Sequence, residues 1–355
     1  MRIVHAANFN NNKYGADLYS TDRKISAGMI RNGHFVYDFS YRDVCRNESL
    51  FRTTRLGTNT INKKLIEACD VICPDLLLLG HTELIAAATL QAVKDHHPAA
   101  RIGMWYVDAL FNREKTAHIF SKLDSIDVFF ATTGGEYLRE FATSTTTAAF
   151  IPNMVDPAVE SGCAFKAKAY VQDLVFCGRD TNDAQRHDFM ARLNREVGKY
   201  MRCVFKGCLG NPPVTGAAYL DFLSRSKMGL NISRQNDVPL YSSDRLTQLV
   251  GNGLLTFCPE IPGMDGLFGD DELVYFTDLD DLLEKVLYYH INERECRAIA
   301  ARGWQRAHGQ YNNKRVTAYM LEVLCGNPFS SDYEWQNTIF RSSSLQNNHR
   351  LQQNP

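Results

Sequence analysis

The stretch Leu240-Tyr-Ser-Ser-Asp-Arg-Leu-Thr-Gln-Leu-Val-Gly-Asn-Gly-Leu-Leu255 decides how this chain is read. Arg245–Val250 carries apolar residues at helical spacing, Gly251 and Gly253 end it, and Leu254-Leu-Thr-Phe257 follows as an apolar strand. The hydroxyls of Ser242 and Ser243 stand just before the helix, where either can cap it. A helix N-terminus has unpaired N–H groups and the positive end of the dipole, so it favours an anion. Arg245 in the first turn adds a guanidinium fork whose geometry suits phosphate.

The same alternation runs outward in both directions. Upstream, strands are expected at Arg2–Ala7, Phe35–Phe39, Leu76–Leu79, Ile102–Tyr106, Val128–Ala131 and Ala148–Ile151, with helices at Asp22–Asn32, Asn59–Cys73 and Ala86–His97. The run Leu76–Leu79 is apolar throughout, as a parallel strand covered on both faces should be. A second series has strands at Leu174–Cys177, Cys203–Phe205, Met228–Ile232, Leu254–Phe257 and Leu273–Tyr275. Its helices fall at Asp183–Glu196, Tyr219–Ser226, Arg245–Val250 and Leu279–Tyr289, and Glu293–His308 and Asn313–Leu324 follow as further helices. The pattern predicts an α/β chain of two doubly wound, Rossmann-like domains, with a cleft at the carboxyl ends of the strands. The divisions read as residues 1–156, a polar, small-residue linker at 157–170, a second domain at 171–310, a terminal helix at 311–335 returning toward the first domain, and a Ser/Asn/Gln-rich, disordered tail at 336–355.

Bulk properties narrow the function classes. The 355 residues suit two cores rather than one. A net charge of −1 supplies no global field for nucleic acid. Ten Cys occur without a CxxC pair, which argues against zinc and for reduced, buried thiols in a cytosolic protein. The start Met-Arg-Ile-Val-His reads as a strand rather than a signal peptide, and no apolar run nears the roughly 20 residues of a membrane span. A soluble, cytoplasmic protein is expected, with peripheral membrane contact left open.

Chemistry-bearing residues fall at the carboxyl ends of the predicted strands. In the first half these are the Asn8–Gly15 loop, where Gly15 lets backbone approach a ligand, then Gly80-His-Thr-Glu83 and Trp105-Tyr-Val-Asp108. His81 reads either as a base or sugar-hydroxyl partner, or as a backbone-bonded residue beside a Thr82 cap. Asp108 reads as an acceptor of a hydroxyl proton or as a helix cap, and its aromatic neighbours suit a sugar face. In the second half, Arg179 after Gly178, Lys206 and Arg234 hold the equivalent places. Each has a plain alternative: ion pairs of Arg179 with Asp180 or Asp183 and of Arg234 with Asp237, and a solvated Lys206. With Arg245 they converge on one half, as neutralising a diphosphate requires. The acids of Leu267–Glu272 read as a solvated turn rather than a Mg²⁺ site.

Over about residues 1–325 the order of pieces resembles the GT-B glycosyltransferases, more narrowly the spore-maturation CgeB-like enzymes of the family 1/4 type. The matching pieces are Gly28-Met-Ile-Arg-Asn-Gly-His34, Phe39-Ser-Tyr-Arg-Asp43, Gly80-His-Thr-Glu83, Trp105-Tyr-Val-Asp108, Phe150-Ile-Pro-Asn-Met-Val-Asp156, Phe176-Cys-Gly178, Asn231-Ile-Ser-Arg234 and Asp244-Arg-Leu-Thr-Gln-Leu-Val-Gly251. The resemblance implies transfer of a sugar from a nucleotide-diphosphate sugar to an acceptor hydroxyl of a glycan, glycolipid or cell-surface polysaccharide. It implies no resident cofactor and no metal. Donor binding would fall to Gly15, Arg179, Lys206, Arg234, Ser242, Ser243, Arg245 and Gln248, and catalysis to Asp108 and His81. Position 248 would face the ribose; the family usually has Glu there, and many relatives carry a second Glu where this chain has Leu240. The basic residues Arg42, Arg46 and Arg52 are expected to meet an acidic acceptor or an anionic membrane surface, against the alternative of a scattered, solvated face. Two other functions stay open on the same fold: sugar-nucleotide binding without turnover, and sugar-nucleotide epimerisation.

Overall fold

A computed structural model describes residues 1–48, 53, 57–181 and 183–342. The chain divides into two compact units.

The first unit comprises Met1–Gly15, Ser20–Pro152 and the chain from Asn313 onward. Its strands are β1 (Arg2–Ala7), β2 (Phe35–Ser40), β3 (Leu76–Gly80), β4 (Arg101–Tyr106), β5 (Val128–Ala131) and β6 (Thr147–Phe150). They form a parallel sheet, extended at one edge by the short antiparallel β12 (Ile339–Phe340), in the order β12-β6-β5-β4-β3-β1-β2. The helices are α1 (Thr21–Arg31), α2 (Tyr41–Asn47), α3 (Thr58–Ile72), α4 (Ala87–His96), α5 (Arg113–Phe120), α6 (Gly135–Arg139) and α12 (Asn313–Cys325). Every residue of β3 is buried, as its run of four leucines requires for a strand covered on both faces. Helix α12 packs on α1 through Gly28: a Cβ there would lie 2.3 Å from the Asn313 carbonyl oxygen. Arg31 and Asn32 add side-chain hydrogen bonds to Asn313 and Thr317.

The second unit comprises Ala16–Tyr19 and Asn153–Asn312. Strands β7 (Gln172–Cys177), β8 (Cys203–Lys206), β9 (Ser226–Leu230), β10 (Leu255–Pro259) and β11 (Val274–Phe276) form a parallel sheet in the order β11-β10-β9-β7-β8. Around it lie α7 (Ala184–Val197), α8 (Ala217–Ser224), α9 (Arg245–Gly251), α10 (Leu279–Ile291) and α11 (Glu293–Gln310).

Both sheets are therefore doubly wound, and each reverses direction between its first and third strands: β1 and β3 in one, β7 and β9 in the other. Loops leaving the carboxyl ends of two such strands turn to opposite sides and open a crevice, the usual ligand site of open α/β sheets. The topology thus marks one candidate place in each unit.

Two expected divisions differ. Residues 157–170 are not a free linker but part of the second unit: Ala164 and Phe165 donate backbone hydrogen bonds to Asn252 and Gly253, and Trp304 donates to the Gly162 carbonyl at 3.0 Å. The expected tail begins with ordered chain. Phe150 donates to the Thr338 carbonyl, β12 pairs with β6, and the preceding Tyr333 and Trp335 are buried. Those aromatics anchor a segment whose polar composition alone suggests disorder. No helix among the described residues is long and apolar enough to cross a membrane.

Candidate functional site

In the second unit the reversal between β7 and β9 is spanned by one side chain. Arg245, the first residue of α9, donates from Nε to the Cys177 carbonyl at the end of β7 (2.6 Å) and from an Nη to the Ile232 carbonyl just beyond β9 (3.0 Å). Its guanidinium carbon lies 4.5 Å from the centroid of the Phe176 ring. Gly178 is required there, since a Cβ would come within 2.6 Å of the other Nη. Loss of hydration pulls the Arg245 pKa below the ordinary arginine value. Arg245 is thus less a free fork than a strut: the β7–β9 pairing ends before Cys177 and Ile232, and their carbonyls accept from the guanidinium instead.

Around the strut stand further cations. Arg186, in the first turn of α7, is 9% exposed; it donates to the Arg179 carbonyl at 2.9 Å, and its Nε lies 3.5 Å from Asp183 Oδ2 outside hydrogen-bond geometry. Desolvation lowers its pKa too. Arg234, after β9, is exposed, and its nearest acid is Asp183 at 4.0 Å rather than the neighbouring Asp237. Arg179 is exposed and Lys206, ending β8, is half-buried; neither side chain has a partner among the described residues. The buried hydroxyl of Ser233 is also unpartnered there. Asp183, the acid within this group, is tied up at the α7 N-terminus by the Arg186 amide. Asp180 accepts from His187 and from the Leu209 amide. Cations are thus concentrated at strand ends with their nearby acids already bonded, the charge arrangement that a polyanion would complement.

The residues before α9 act differently from expectation. Neither Ser242 nor Ser243 caps the helix; Asp244 occupies the cap position in a helical conformation, and its side chain makes no capping hydrogen bond. Ser242 accepts from Asn153 Nδ2 through both its carbonyl (2.9 Å) and its hydroxyl (3.0 Å), and Ser243 donates to Asn231 at 3.4 Å. These bonds position the entry to the helix. Gln248 is buried, and its Oε1 accepts from the Tyr219 hydroxyl at 2.8 Å, which leaves its amide nitrogen for another partner. The Tyr219 ring packs against that of Tyr19, tilted, with centroids 4.9 Å apart. Leu240 sits in the left-handed region, φ 58°, and donates its amide to Pro262. In the acidic turn, Asp271 pairs with Arg302 and Glu272 with Arg306.

In the first unit, β3 ends at Gly80, and His81 and Thr82 follow with φ of 61° and 43°. Two successive left-handed residues, one of them β-branched, cost roughly 1–3 kcal/mol each and persist only where the surroundings fix them. The His81 ring packs on Tyr106 at 4.6 Å and edge-on to Trp105 at 5.3 Å. Its Nδ1 lies 3.9 Å from Asp108 Oδ2. Desolvation lowers the His81 pKa while Asp108 raises it. Beneath, the Trp105 indole donates to His5 Nε2 at 2.9 Å, which puts the His5 proton on Nδ1; that proton goes to Ser26, whose hydroxyl donates to Asp38. Burial drives the His5 pKa down to about 3, so it is neutral.

Glu83 completes this edge, receiving Tyr41 at 2.5 Å and Arg42 at 2.8 Å. Arg46 pairs with Asp43 at 3.3 Å. Both arginines are therefore committed to acids of their own unit rather than standing free. Arg52 lies outside the described residues. Gly15 has φ 89° and nothing within 4 Å of its Cβ position, so its glycine serves the turn and leaves open space. The structure brings together His81 and Asp108, and separately Arg179, Lys206, Arg234, Arg245 and Gln248. The sequence reading did not select Arg186; its signal was a lone arginine in the polar start of a helix, and only burial distinguishes it.

Residues 186–322 match the family profile described as glycosyl transferase-like. No curated protein sequence matches the chain. Among solved structures, Anabaena HepE in complex with UDP and glucose aligns with a TM-score of 0.57 at 12% identity, over 92% of this chain and 100% of that one. Sucrose-phosphate synthase from Thermosynechococcus elongatus gives 0.53 at 11% identity, over 92% and 98%. A Listeria monocytogenes protein provisionally assigned as a UDP-N-acetylglucosamine 2-epimerase gives 0.55 at 12%, over 94% and 99%. At such identities the likeness concerns architecture: two parallel-sheet, Rossmann-like domains of the GT-B type.

Proposed function

We propose that this protein is a metal-independent glycosyltransferase of the CgeB-like kind, moving a sugar from a nucleotide-diphosphate donor to the hydroxyl of a glycan, glycolipid or polysaccharide. The observation that carries the reading is the cation group at the β7/β9 reversal. A diphosphate leaving group gathers negative charge as the anomeric C–O bond breaks, and Arg179, Arg186, Lys206 and Arg234 are placed to balance it, on the frame Arg245 holds. The Gln248 amide is the candidate for ribose, with Ser242 and Ser243 shaping the approach. The first unit takes the acceptor side. His81 or Asp108 receives the proton of the attacking hydroxyl, while the Gly15 turn gives the donor close backbone approach. The basic segment containing Arg42, Arg46 and Arg52 is assigned to an acidic acceptor, including one displayed at the inner face of a membrane, on its sequence charge; Arg42 and Arg46 would have to exchange Glu83 and Asp43 for it. The family match, and a similar structure holding UDP and glucose, support this reading.

The test is a melting-temperature panel with nucleoside diphosphates and nucleotide sugars, since a ligand bound only by the native state stabilises it by about 2.7 kcal/mol at a hundredfold excess over Kd. Uridine or guanosine diphosphate raises Tm, and Arg234→Ala, which removes an exposed cation with little structural role, cuts the affinity roughly tenfold. A shift unchanged in Arg234→Ala together with Arg179→Ala refutes the site. Epimerisation, suggested by the Listeria structure, is separated by incubating donor alone: an epimerase turns over without acceptor.

A further inference from the structure

The strained turn that carries His81 is held by two side chains from a single segment. His118, on α5, donates from Nε2 to the His81 carbonyl at 2.8 Å. Lys122, just past α5, donates from Nζ to the Thr82 carbonyl at 2.5 Å. Lys122 is 2% exposed; among the described residues this is the only hydrogen bond its ammonium makes and no carboxylate lies within ion-pair distance, the charge that acts on it being the more distant Glu83. A buried lysine is costly, and an unpaired one more so. A methionine would fill the same space without a charge, so the ammonium is explained by the carbonyl it grips. The turn needs gripping. Its internal bonds run from the Thr82 amide to Gly80 and from the Ile85 amide to Thr82, and the Thr82 hydroxyl is buried without a partner. Gly80 leaves no slack, because a Cβ there would meet Trp105 at 2.3 Å. With both carbonyls held, the His81 ring stays on Tyr106 with Nδ1 toward Asp108.

We propose that Lys122 is a positioning residue for the first unit's site: with His118 it locks the left-handed His81–Thr82 turn, and through it fixes where the His81 imidazole stands. The assignment rests on His81 serving the transfer reaction proposed above, and it names a residue that touches neither the ring nor the acceptor directly.

The experiment compares wild type, Lys122→Met, Lys122→Arg and His118→Gln. The imidazoles are labelled with ¹⁵N, and His81, assigned through His81→Gln, is followed by NMR through a pH titration. Groups facing His81 are Asp108, Glu83, Arg42 and His118, so movement of the ring relative to them registers as a changed midpoint. In Lys122→Met the His81 midpoint shifts by about half a unit or more and its resonances broaden or split as the turn samples other conformations. Lys122→Arg restores a single wild-type-like signal. Once a donor is identified, kcat in Lys122→Met falls at least tenfold with donor KM unchanged, and Lys122→Arg recovers most of it. Identical His81 titrations in wild type and Lys122→Met overturn the proposal. Should Lys122→Met not fold, His118→Gln asks the same question of the other clamp, and an unchanged His81 there is equally fatal. Absence of any nucleotide-induced Tm shift in wild type sinks the transferase reading instead, while the His81 titration still decides the role of Lys122.

Discussion

Replacing Arg245 with methionine separates two roles that a site arginine can have. The side chain makes two hydrogen bonds from a charged donor, to Cys177 and Ile232, and lies on the Phe176 ring. Charge-assisted bonds contribute about 1.5–3 kcal/mol each. The freed carbonyls sit at the open end of the sheet and recover water, and the guanidinium regains its own hydration, so roughly half of that sum is returned. The cation–π contact adds about 0.5–1 kcal/mol. The net loss is then about 2–4 kcal/mol. In a unit of this size 1 kcal/mol moves Tm by roughly 2–4 °C, so the ligand-free protein should melt about 4–16 °C lower. Calorimetry resolves the transition of the second unit, and hydrogen exchange at β7 and β9 amides localises it. An unaltered ligand-free melt, with the nucleotide-induced shift abolished, would mean that Arg245 is a loose ligand-binding cation and that the strut argument is wrong.

Other consequences are open to direct measurement. Gly28→Ala should destabilise the first unit by about 3 kcal/mol or more, because its methyl would strike the Asn313 backbone at 2.3 Å rather than a side chain that can rotate away; urea unfolding reads this out. His5 has a folded pKa of about 3 against an unfolded value of 6.5, so the unfolded state binds the proton first. Stability is therefore full above pH 6.5 and falls toward pH 3, with a contribution to the slope of about 1.4 kcal/mol per pH unit that His5→Gln removes. Treatment with EDTA should leave sugar transfer unchanged, since cationic side chains are proposed to stabilise the leaving group; a loss restored by Mg²⁺ counts against that mechanism.

Strong periodicity made most of the architecture legible. The boundaries of β1 and β5 follow from apolar runs ending at polar residues. Strand β9 begins two residues before its expected start because Ser226 and Lys227 are polar yet buried, Lys227 reaching the His290 carbonyl at 2.7 Å. Helices α2, α5 and α6 were not read, being short and mostly polar. The strand-end placement of Arg179, Lys206 and Arg234 is visible in the chain, since strand ends can be read there. Partners are not: Asp183 rather than Asp237 faces Arg234, and Tyr219 holds Gln248, because those contacts depend on how separate loops fold back. Ser242 and Ser243 misled for a similar reason, as Asn153 and Asn231 lie far off in sequence and compete for their polar groups.

Neither unit is a continuous length of polypeptide, and that limits how the protein can be taken apart. A fragment cut to Asn153–Asn312 would lack Ala16–Tyr19, and with it the carbonyl that receives the Gly216 amide at 2.9 Å and the ring that covers Tyr219. Stopping the chain at Asn312 would strip α1 of the helix seated against Gly28. Each half therefore depends on sequence far off along the chain: α1 on a helix made long after it, and the floor beneath Tyr219 on residues made long before it. Loss of the chain beyond Asn312 should loosen the first unit while leaving every segment of the second in place.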